Sequence, residues 1–204
     1  MADERSTLIL ASASKSRRRI LKNAGIDFRA IAADFDETTA KNLFLQTEDK
    51  KDFSDLALKL AEGKAQSVSG DYPDAVVIGA DQLLVCGGEL YSKPINMDAA
   101  RQHLLSLRGR AHQLVTAYVI VKNGQLLSRH VEMPTLQMRA FSDDFLDTYL
   151  HVSDEDILSS VGAYLLEGLG AQLFDHINGD YFSILGLPIW SLLTDLREQG
   201  VIKE

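Results

Sequence analysis

Two acidic side chains, Asp81 and Glu37, have the clearest potential for chemistry in this sequence. Asp81 lies in the apolar stretch "VIGADQLLV" (77–85), and a carboxylate buried there must be paired, metal-bound or functional. It can act as a general base on water or hold a divalent ion. Alternatively, it is a bulge residue bonded to nearby backbone amides. Glu37 ends the acidic run "DFDE" (34–37) and offers the oxygen ligands that Mg²⁺ takes, although acidic loops are usually just solvated.

A second candidate site is the stretch "LILASASKSRRR" (8–19), which runs from apolar to small to basic residues. It predicts a buried strand, a loop of small residues and a helix start. Backbone N–H groups at a helix N-terminus and the helix dipole attract anions, and serine and arginine side chains donate to phosphate oxygens. We interpret the stretch as a polyphosphate cradle. Its candidate ligand-binding residues are Ser12, Ser14, Ser16 and Arg17.

The competing interpretation of this stretch is a solvated, charged helix face, which is the common fate of basic runs. Successive helical residues point about 100° apart, so three consecutive arginines cannot all reach one ligand. The sequence leaves open which of Arg17, Arg18 and Arg19 faces the anion, and whether Ser14 or Ser16 caps the helix. We expect Arg17 to lie at the surface of the site.

Two lysines, Lys64 in "LAEGKAQ" and Lys93 in "YSKP", lie near predicted element ends, where an isolated lysine is usually a surface residue. The sequence contains no GxxxxGK[ST] motif, which disfavours P-loop phosphoryl transfer. The five histidines show no ligand spacing, which disfavours a zinc site. The single cysteine, Cys86, is interpreted as a packing residue.

The bulk composition limits the partners and the compartment. The chain has 204 residues and a formal net charge of −8, which argues against nucleic acid and anionic membranes as partners. One cysteine allows no intrachain disulfide, which favours a reducing compartment. The first residues do not resemble a signal peptide, and no apolar stretch approaches the roughly 20 residues of a membrane span. We therefore expect a cytoplasmic protein.

The elements that must position these residues alternate between strands and helices. The fold class predicted from them is α/β, a mixed twisted sheet flanked by helices, in a single domain over residues 1–204. The predicted single strands are 7–12 and 27–33, and a third, 75–86, is interrupted at its Gly-Ala dipeptide and followed by a hairpin turn at 87–88. Two further hairpins are predicted, 112–133 with its turn at 123–124 and 174–185 with its turn at 178–179. The predicted helices are one ending at Gly25, then 53–69, 96–107, 142–150 and one between Pro188 and Gly200.

Together these pieces resemble the Maf-like nucleoside triphosphate pyrophosphatases nearly end to end. The shared motifs occur here in the family's order. They are "LILASASKSRRR", Asp36-Glu37, "LAEGKA" with Lys64, "GADQ" (79–82), "KP" (93–94), "GAYLLEGLGA" (162–171) and "INGDYFSILGLP" (177–188). The resemblance implies hydrolysis between the α- and β-phosphates, giving a nucleoside monophosphate and pyrophosphate, a nucleotide house-cleaning activity. It further implies a divalent metal cofactor, usually Mg²⁺, a two-lobed fold like that of inosine triphosphate pyrophosphatases with the site in a central cleft, and often a homodimer.

The resemblance also assigns roles. Asp81 is the proton acceptor that activates water, and with Glu37 it holds the metal. Phosphate binding falls to Ser12, Arg17, Lys64 and Lys93. Three departures from the family pattern stand out: Lys15-Ser16 in place of Pro-Arg or Pro-Trp, Ser92 in place of glycine or glutamate, and Ser159-Ser160 in place of an Asp-Lys pair.

Gln82 and Glu167 are the positions that bear on the base. Relatives that prefer 7-methyl-GTP typically carry Gln and Glu there, whereas relatives that prefer dTTP and UTP carry Thr and Gln. The sequence therefore favours 7-methyl-GTP or a related purine, with dTTP or UTP as the alternative. Two other function classes compete: a non-catalytic nucleotide-binding regulator of cell division, and an RNA-binding module that the acidic composition disfavours.

Overall fold

A computed structural model describes residues 7–47 and 52–203. By their internal contacts, these residues form two compact units. The first unit contains the described residues up to Asp81 together with Thr116–Glu132 and the chain from Asp180 onward. The second contains Gln82–Val115 and Met133–Gly179.

The first unit is built on parallel strands. Strand β1 (Leu8–Ala11) pairs in parallel with β2 (Arg29–Ile31) on one side and with the first half of β3 (Val76–Cys86) on the other. An antiparallel hairpin formed by β5 (Ala111–Lys122) and β6 (Gln125–Glu132) gives the unit its mixed sheet. The helices of this unit are α1 (Lys15–Asn23), α2 (Glu37–Thr47), α3 (Phe53–Ser69), α6 (Tyr181–Ile184) and α7 (Ile189–Glu198).

The helices α1 and α7 cover one face of this sheet. Ile78 and Ala80 of β3 belong to the same buried cluster as Leu21 of α1 and Leu192 of α7. Because neighbouring strand residues point to opposite faces, Gly79 and Asp81 point to the other face. Gly79 lies directly against α3, so α3 covers that opposite face at the end of the parallel part of β3.

The second unit is antiparallel. The latter half of β3 pairs with β4 (Glu89–Tyr91), and the first residues of β5 pair with β7 (Thr135–Met138), which pairs with β8 (Phe174–Asn178). Its helices are α4 (Met97–Leu107), which Asn96 caps, and α5 (Asp143–Ser153), which Ser142 caps. Two 3₁₀ segments, Asp154–Ser159 and Leu169–Leu173, flank the "GAYLLEGLG" stretch.

The α/β class with a mixed sheet is confirmed, and three local predictions are wrong. The strand 75–86 is continuous at Gly79-Ala80: it pairs with β1 up to Gly79 and with β4 from Leu84 onward, and β5 is its neighbour on the other side. Glu37 begins helix α2 instead of lying in a loop. The segment 174–185 is not a hairpin: Asp180 accepts a hydrogen bond from the Ser183 N–H at 2.6 Å and starts a short helix.

Candidate active site

The loop between β1 and α1 has the strand–loop–helix form that the sequence predicts. Ser14 is the helix cap, since its hydroxyl accepts from the backbone N–H of Arg17 at 3.3 Å. The buried Ser12 hydroxyl accepts from the Ser14 N–H at 3.2 Å and from Nη1 of Arg17 at 3.4 Å. Ser16 instead turns its hydroxyl to the carbonyl oxygen of Leu185, 2.6 Å away. Ser16 thus ties α1 to the end of α6.

Of the three arginines, only Arg17 points inward. Its side chain is buried, and its Nε donates to the Gly186 carbonyl at 2.8 Å while Nη1 donates to the Ala80 carbonyl at 2.8 Å. Arg18 lies on the surface and donates to the carbonyls of the loop that precedes the helix. The expectation that Arg17 lies at the surface is therefore wrong: three of its N–H donors are used on protein acceptors, and Nη2 is the nitrogen left for a ligand within the described part of the chain.

The central feature of the first unit is an ion triad. The ammonium nitrogen of Lys64 lies 2.5 Å from Oδ1 of Asp81 and 2.8 Å from Oε1 of Glu37. Asp81 and Lys64 are both nearly inaccessible to solvent, with side-chain exposures of 6% and 11%, whereas Glu37 is 39% exposed. An ammonium has three N–H donors, so Lys64 keeps one for a further acceptor after serving both carboxylates.

The close packing of α3 on β3 brings these charges together. A Cβ atom on Gly79 would lie 2.1 Å from the Ala61 carbonyl oxygen and 2.9 Å from the Ala65 backbone nitrogen, so only glycine allows the approach. Lys64 lies on the same turn of α3, and Asp81 follows two residues along the same strand face. The close approach at Gly79 thus packs the "GAD" motif of β3 against the "GKA" motif of α3.

The charges of the triad affect its pKa values. Burial acts to raise the pKa of Glu37, but attraction and hydrogen bonds from Lys64 and Lys41 outweigh it, and the pKa of Glu37 lies below its ordinary value. Burial lowers the pKa of the Arg17 guanidinium, and the negative charges of Asp81 and Glu37 oppose that shift. Lys41 was not singled out from the sequence, although its position four residues after Glu37 on α2 is the signal that identifies it.

The donor set fits a divalent cation that takes its remaining ligands from substrate and water. Oδ2 of Asp81 is buried and has no hydrogen-bond partner within 7–47 and 52–203, which leaves one carboxylate oxygen for an added ligand. The described part of the chain has no cluster of three or more His, Cys, Asp or Glu residues suited to a metal. Asp81 and Glu37 therefore match Mg²⁺, which is commonly held by one or two carboxylates plus phosphates, and not a cage made wholly of protein.

The remaining predicted residues belong to the second unit. Gln82 directly follows Asp81 and is half-buried, Lys93 is exposed after β4, and Glu167 is exposed on a turn between Leu165 and Gly168. Each of these three residues has contacts of its own. The first unit thus joins Ser12, Arg17, Glu37, Lys64 and Asp81, whereas Gln82, Lys93 and Glu167 lie on the other unit.

Sequence reasoning missed the acceptors that hold Arg17, because backbone carbonyls leave no mark in a sequence. It interpreted Cys86 as a packing residue, and this is confirmed: the thiol is buried and lies 3.5 Å from the Ala111 carbonyl oxygen, and burial raises its pKa. No helix in the described residues combines the length and apolar character that a bilayer crossing needs.

Comparisons with known proteins find relatives that align with nearly the whole chain. The chain is 51% identical over 195 residues to a nucleoside triphosphate pyrophosphatase of Granulibacter bethesdensis, which covers 96% of this chain and 98% of that one. It is 48% identical to a 7-methyl-GTP pyrophosphatase of Rhizobium meliloti, with 96% and 97% covered. A solved nucleoside triphosphatase/dITP/XTP pyrophosphatase from Mycobacterium abscessus aligns at 13% identity and a TM-score of 0.40, covering 96% of this chain and 95% of that one.

The family match covers nearly the whole chain. The model of the family described as Maf-like protein matches residues 7–199, which include every residue of the ion triad and of the helix α1 cradle. The chain belongs to the Maf-like protein family.

Proposed function

We propose that this chain hydrolyses nucleoside triphosphates between the α- and β-phosphates, releasing a nucleoside monophosphate and pyrophosphate. The observation that carries the proposal is the buried Asp81, which Lys64 holds at 2.5 Å through one oxygen while the other oxygen has no hydrogen-bond partner among the described residues. Relatives that share about half of the sequence bear the names nucleoside triphosphate pyrophosphatase and 7-methyl-GTP pyrophosphatase.

In this mechanism Asp81 is the general base. Its Oδ2 accepts a proton from water as the water oxygen forms a bond to phosphorus and the bridging P–O bond of the α–β anhydride breaks, with pyrophosphate as the leaving group. Lys64 pairs with Oδ1 of Asp81 and can donate its remaining N–H to a phosphate oxygen. Such a base typically contributes about 10²–10⁴-fold to the rate.

Charge neutralisation accounts for most of the remaining catalysis, as anhydride cleavage depends on positioning and electrostatics. The start of α1 and Nη2 of Arg17 supply donors from the first unit, and the resemblance adds Lys93 of the second. Asp81 and Glu37 are the residues that would hold a divalent cation, which we propose to be Mg²⁺. When bound, this ion supplies positive charge against the phosphates.

The proposed base preference is for 7-methyl-GTP or a related purine triphosphate, with Glu167 and Gln82 as the residues that contact the base. A carboxylate suits the N1–H and N2–H donors of guanine and the positive charge of a 7-methylated ring. Thymine and uracil present carbonyl oxygens on both sides of one N–H, and these repel a carboxylate. Several relatives named 7-methyl-GTP pyrophosphatase are 44–48% identical to this chain, which supports this proposal.

The test is a screen of canonical and modified nucleoside triphosphates with Mg²⁺, in which pyrophosphate and orthophosphate are quantified separately. We expect monophosphate and pyrophosphate in equal amounts, the highest kcat/KM for 7-methyl-GTP, and loss of activity when EDTA removes the metal. Diphosphate and orthophosphate as products would overturn the reaction assignment. A higher kcat/KM for dTTP or UTP would overturn only the base preference.

A further inference from the structure

A buried histidine–tyrosine pair in the second unit has no part in the chemistry described above. Nε2 of His112, on β5, lies 2.8 Å from the hydroxyl oxygen of Tyr164, and both side chains are almost completely buried. Nδ1 of His112 has no hydrogen-bond partner in the described ranges. The Tyr164 hydroxyl is therefore the polar contact of this imidazole, and the pair joins the sheet of the second unit to the "GAYLLEGLG" stretch.

The backbone before Tyr164 is fixed by tight packing. A Cβ atom on Gly162 would lie 2.1 Å from the Tyr164 ring, so the ring occupies the space that any other residue there would need. Ala163 has a φ of +55°, a conformation that non-glycine residues adopt only where surrounding contacts impose it. The Tyr149 hydroxyl donates to the Ala163 carbonyl at 3.2 Å, and the Phe174 ring meets the Tyr164 ring edge-on at 4.9 Å.

Glu167 lies on the turn that follows. The Gly168 N–H donates to the Leu165 carbonyl at 3.2 Å, which closes a four-residue turn with Glu167 in its third position. The turn is also held from its far end, because a Cβ on Gly170 would lie 2.4 Å from the Leu165 carbonyl oxygen. Few degrees of freedom therefore remain between the Tyr164 anchor and the Glu167 side chain.

We infer that the His112–Tyr164 hydrogen bond is a positioning contact that sets base selectivity by fixing the turn that carries Glu167. The inference rests on the proposed function, in which Glu167 contacts the base. Tyr164 and the turn that carries Glu167 belong to the second unit, whereas the ion triad and the α1 cradle belong to the first. The Tyr164 hydroxyl therefore affects which base is accepted, and the phosphate chemistry is left to Asp81 and Lys64.

The protonation state of His112 agrees with this role. Burial lowers its pKa to about 4, so the imidazole is neutral at neutral pH, and Nε2 either donates to the Tyr164 hydroxyl or accepts from it, according to the tautomer. A neutral pair keeps its geometry across the pH range in which an enzyme of this kind is assayed.

The experiment is a double-mutant cycle between Tyr164→Phe and Glu167→Gln, read as the ratio of kcat/KM for 7-methyl-GTP to kcat/KM for UTP. Tyr164→Phe removes the hydroxyl and keeps the ring that packs on Gly162 and Phe174. We expect it to lower the ratio about fivefold to tenfold, through KM for 7-methyl-GTP, with kcat changed less than about twofold. In the Glu167→Gln background the same change should leave the ratio within about twofold.

The matched control is Tyr91→Phe, which removes another tyrosine hydroxyl of the same unit, one whose contact is the Ser106 hydroxyl at 3.0 Å and not His112. It should leave the ratio unchanged. If Tyr164→Phe does not fold, His112→Gln, which retains an amide able to hydrogen-bond the tyrosine, and His112→Ala serve instead. We expect His112→Gln to lower the ratio of kcat/KM for 7-methyl-GTP to kcat/KM for UTP less than His112→Ala does.

Each outcome decides between the alternatives. An unchanged ratio in Tyr164→Phe, while Glu167→Gln alters it, overturns the positioning role and leaves the proposed function intact. An equal effect of Tyr164→Phe in both backgrounds shows that it does not act through Glu167 and also overturns the inference. If Glu167→Gln itself leaves the ratio unchanged, both the base contact of Glu167 and the positioning role are overturned, although release of pyrophosphate would still support the reaction assigned.

Discussion

Lys64 and Asp81 form a buried ion pair, with 2.5 Å between the ammonium nitrogen and Oδ1, across the interface of helix α3 and strand β3. Glu37 completes the group from α2 at 2.8 Å, so two carboxylates share one ammonium. Breaking a buried pair by removing one partner costs about 3–5 kcal/mol, because the other charge is left uncompensated. Removing either charge would therefore destabilise the first unit, in addition to altering the proposed base Asp81.

The first prediction concerns Asp81→Asn, which keeps the shape of the side chain and removes the proposed general base. We expect kcat to fall at least about a hundredfold, in line with the loss of a general base. The control is Asp195→Asn in the same unit, where the carboxylate accepts from the Tyr118 hydroxyl at 2.7 Å and from Ser128. This control should lower the melting temperature and leave kcat within about threefold. Asp81→Asn with activity near wild type would make Asp81 a purely structural residue.

The second prediction concerns the contact that sets the distance between Lys64 and Asp81. Gly79→Ala places a methyl group against the α3 backbone, and such overpacking costs about 1–3 kcal/mol and sometimes more. We expect a lower melting temperature and, at a temperature where the variant is folded, a reduced kcat, because α3 must shift and carry Lys64 with it.

Gly70→Ala is the matched control for the same helix. A Cβ there meets nothing within 4 Å and the residue already has helical dihedral angles, so we expect an unchanged or slightly raised melting temperature and normal kinetics. Normal kcat in folded Gly79→Ala would show that catalysis tolerates displacement of α3.

The third prediction separates Arg17 from its neighbour. Arg17→Ala leaves the buried carbonyls of Ala80 and Gly186 without their donor, which costs about 1–3 kcal/mol for each group left unsatisfied. Because Ala80 directly precedes Asp81, we also expect kcat to fall. Arg18→Ala removes only surface contacts and should change the free energy of unfolding by less than about 0.5 kcal/mol. A normal melting temperature with a raised KM in Arg17→Ala would reduce its role to phosphate binding.

The fourth prediction concerns stability at acid pH. The pKa of His112 lies near 4 in the folded chain and near 6.5 when unfolded, so the unfolded state binds the proton more tightly. The contribution of the neutral His112 to the free energy of unfolding is fully present above about pH 6.5 and is lost as the pH falls toward 4. The loss is about 2–3 kcal/mol at pH 4.5. Urea unfolding of wild type and His112→Gln at pH 7.5 and 4.5 measures this loss. Between the two pH values, the free energy of unfolding of the variant should fall by about 2–3 kcal/mol less than that of wild type. Equal losses in both proteins would contradict the burial of a neutral imidazole.

Local signals were sufficient to predict many elements. The helix 53–69 coincides with α3, and the Asn96 cap and the Asn123-Gly124 turn occur where the sequence places them, with both turn residues at positive φ. Each depends on short-range chemistry, namely apolar spacing, a capping side chain or a left-handed turn. The motifs around Asp81, Lys64 and Glu37 likewise identified the candidate base and its neighbours.

The failures occur where the decisive partner is distant in sequence. The Gly79-Ala80 dipeptide resembles a strand break, yet β3 continues through it with β5 as neighbour on one side and with β1, then β4 from Leu84 onward, on the other. Asn178-Gly179 resembles a hairpin turn, yet Asp180 caps a helix directly after it. Glycine and asparagine allow several backbone paths, and long-range pairing selects among them.

The sequence by itself determined the family, the chemistry-bearing residue types and most helix and turn boundaries, because these follow from motifs and local energetics. Only the tertiary structure decided which arginine points inward, since three adjacent arginines differ solely in what their helix faces. It also decided that Lys64 bridges Asp81 and Glu37, residues 17 and 27 positions away along the chain. Charges so far apart in sequence meet because α3 packs backbone to backbone on β3 at Gly79, a contact set by the fold as a whole.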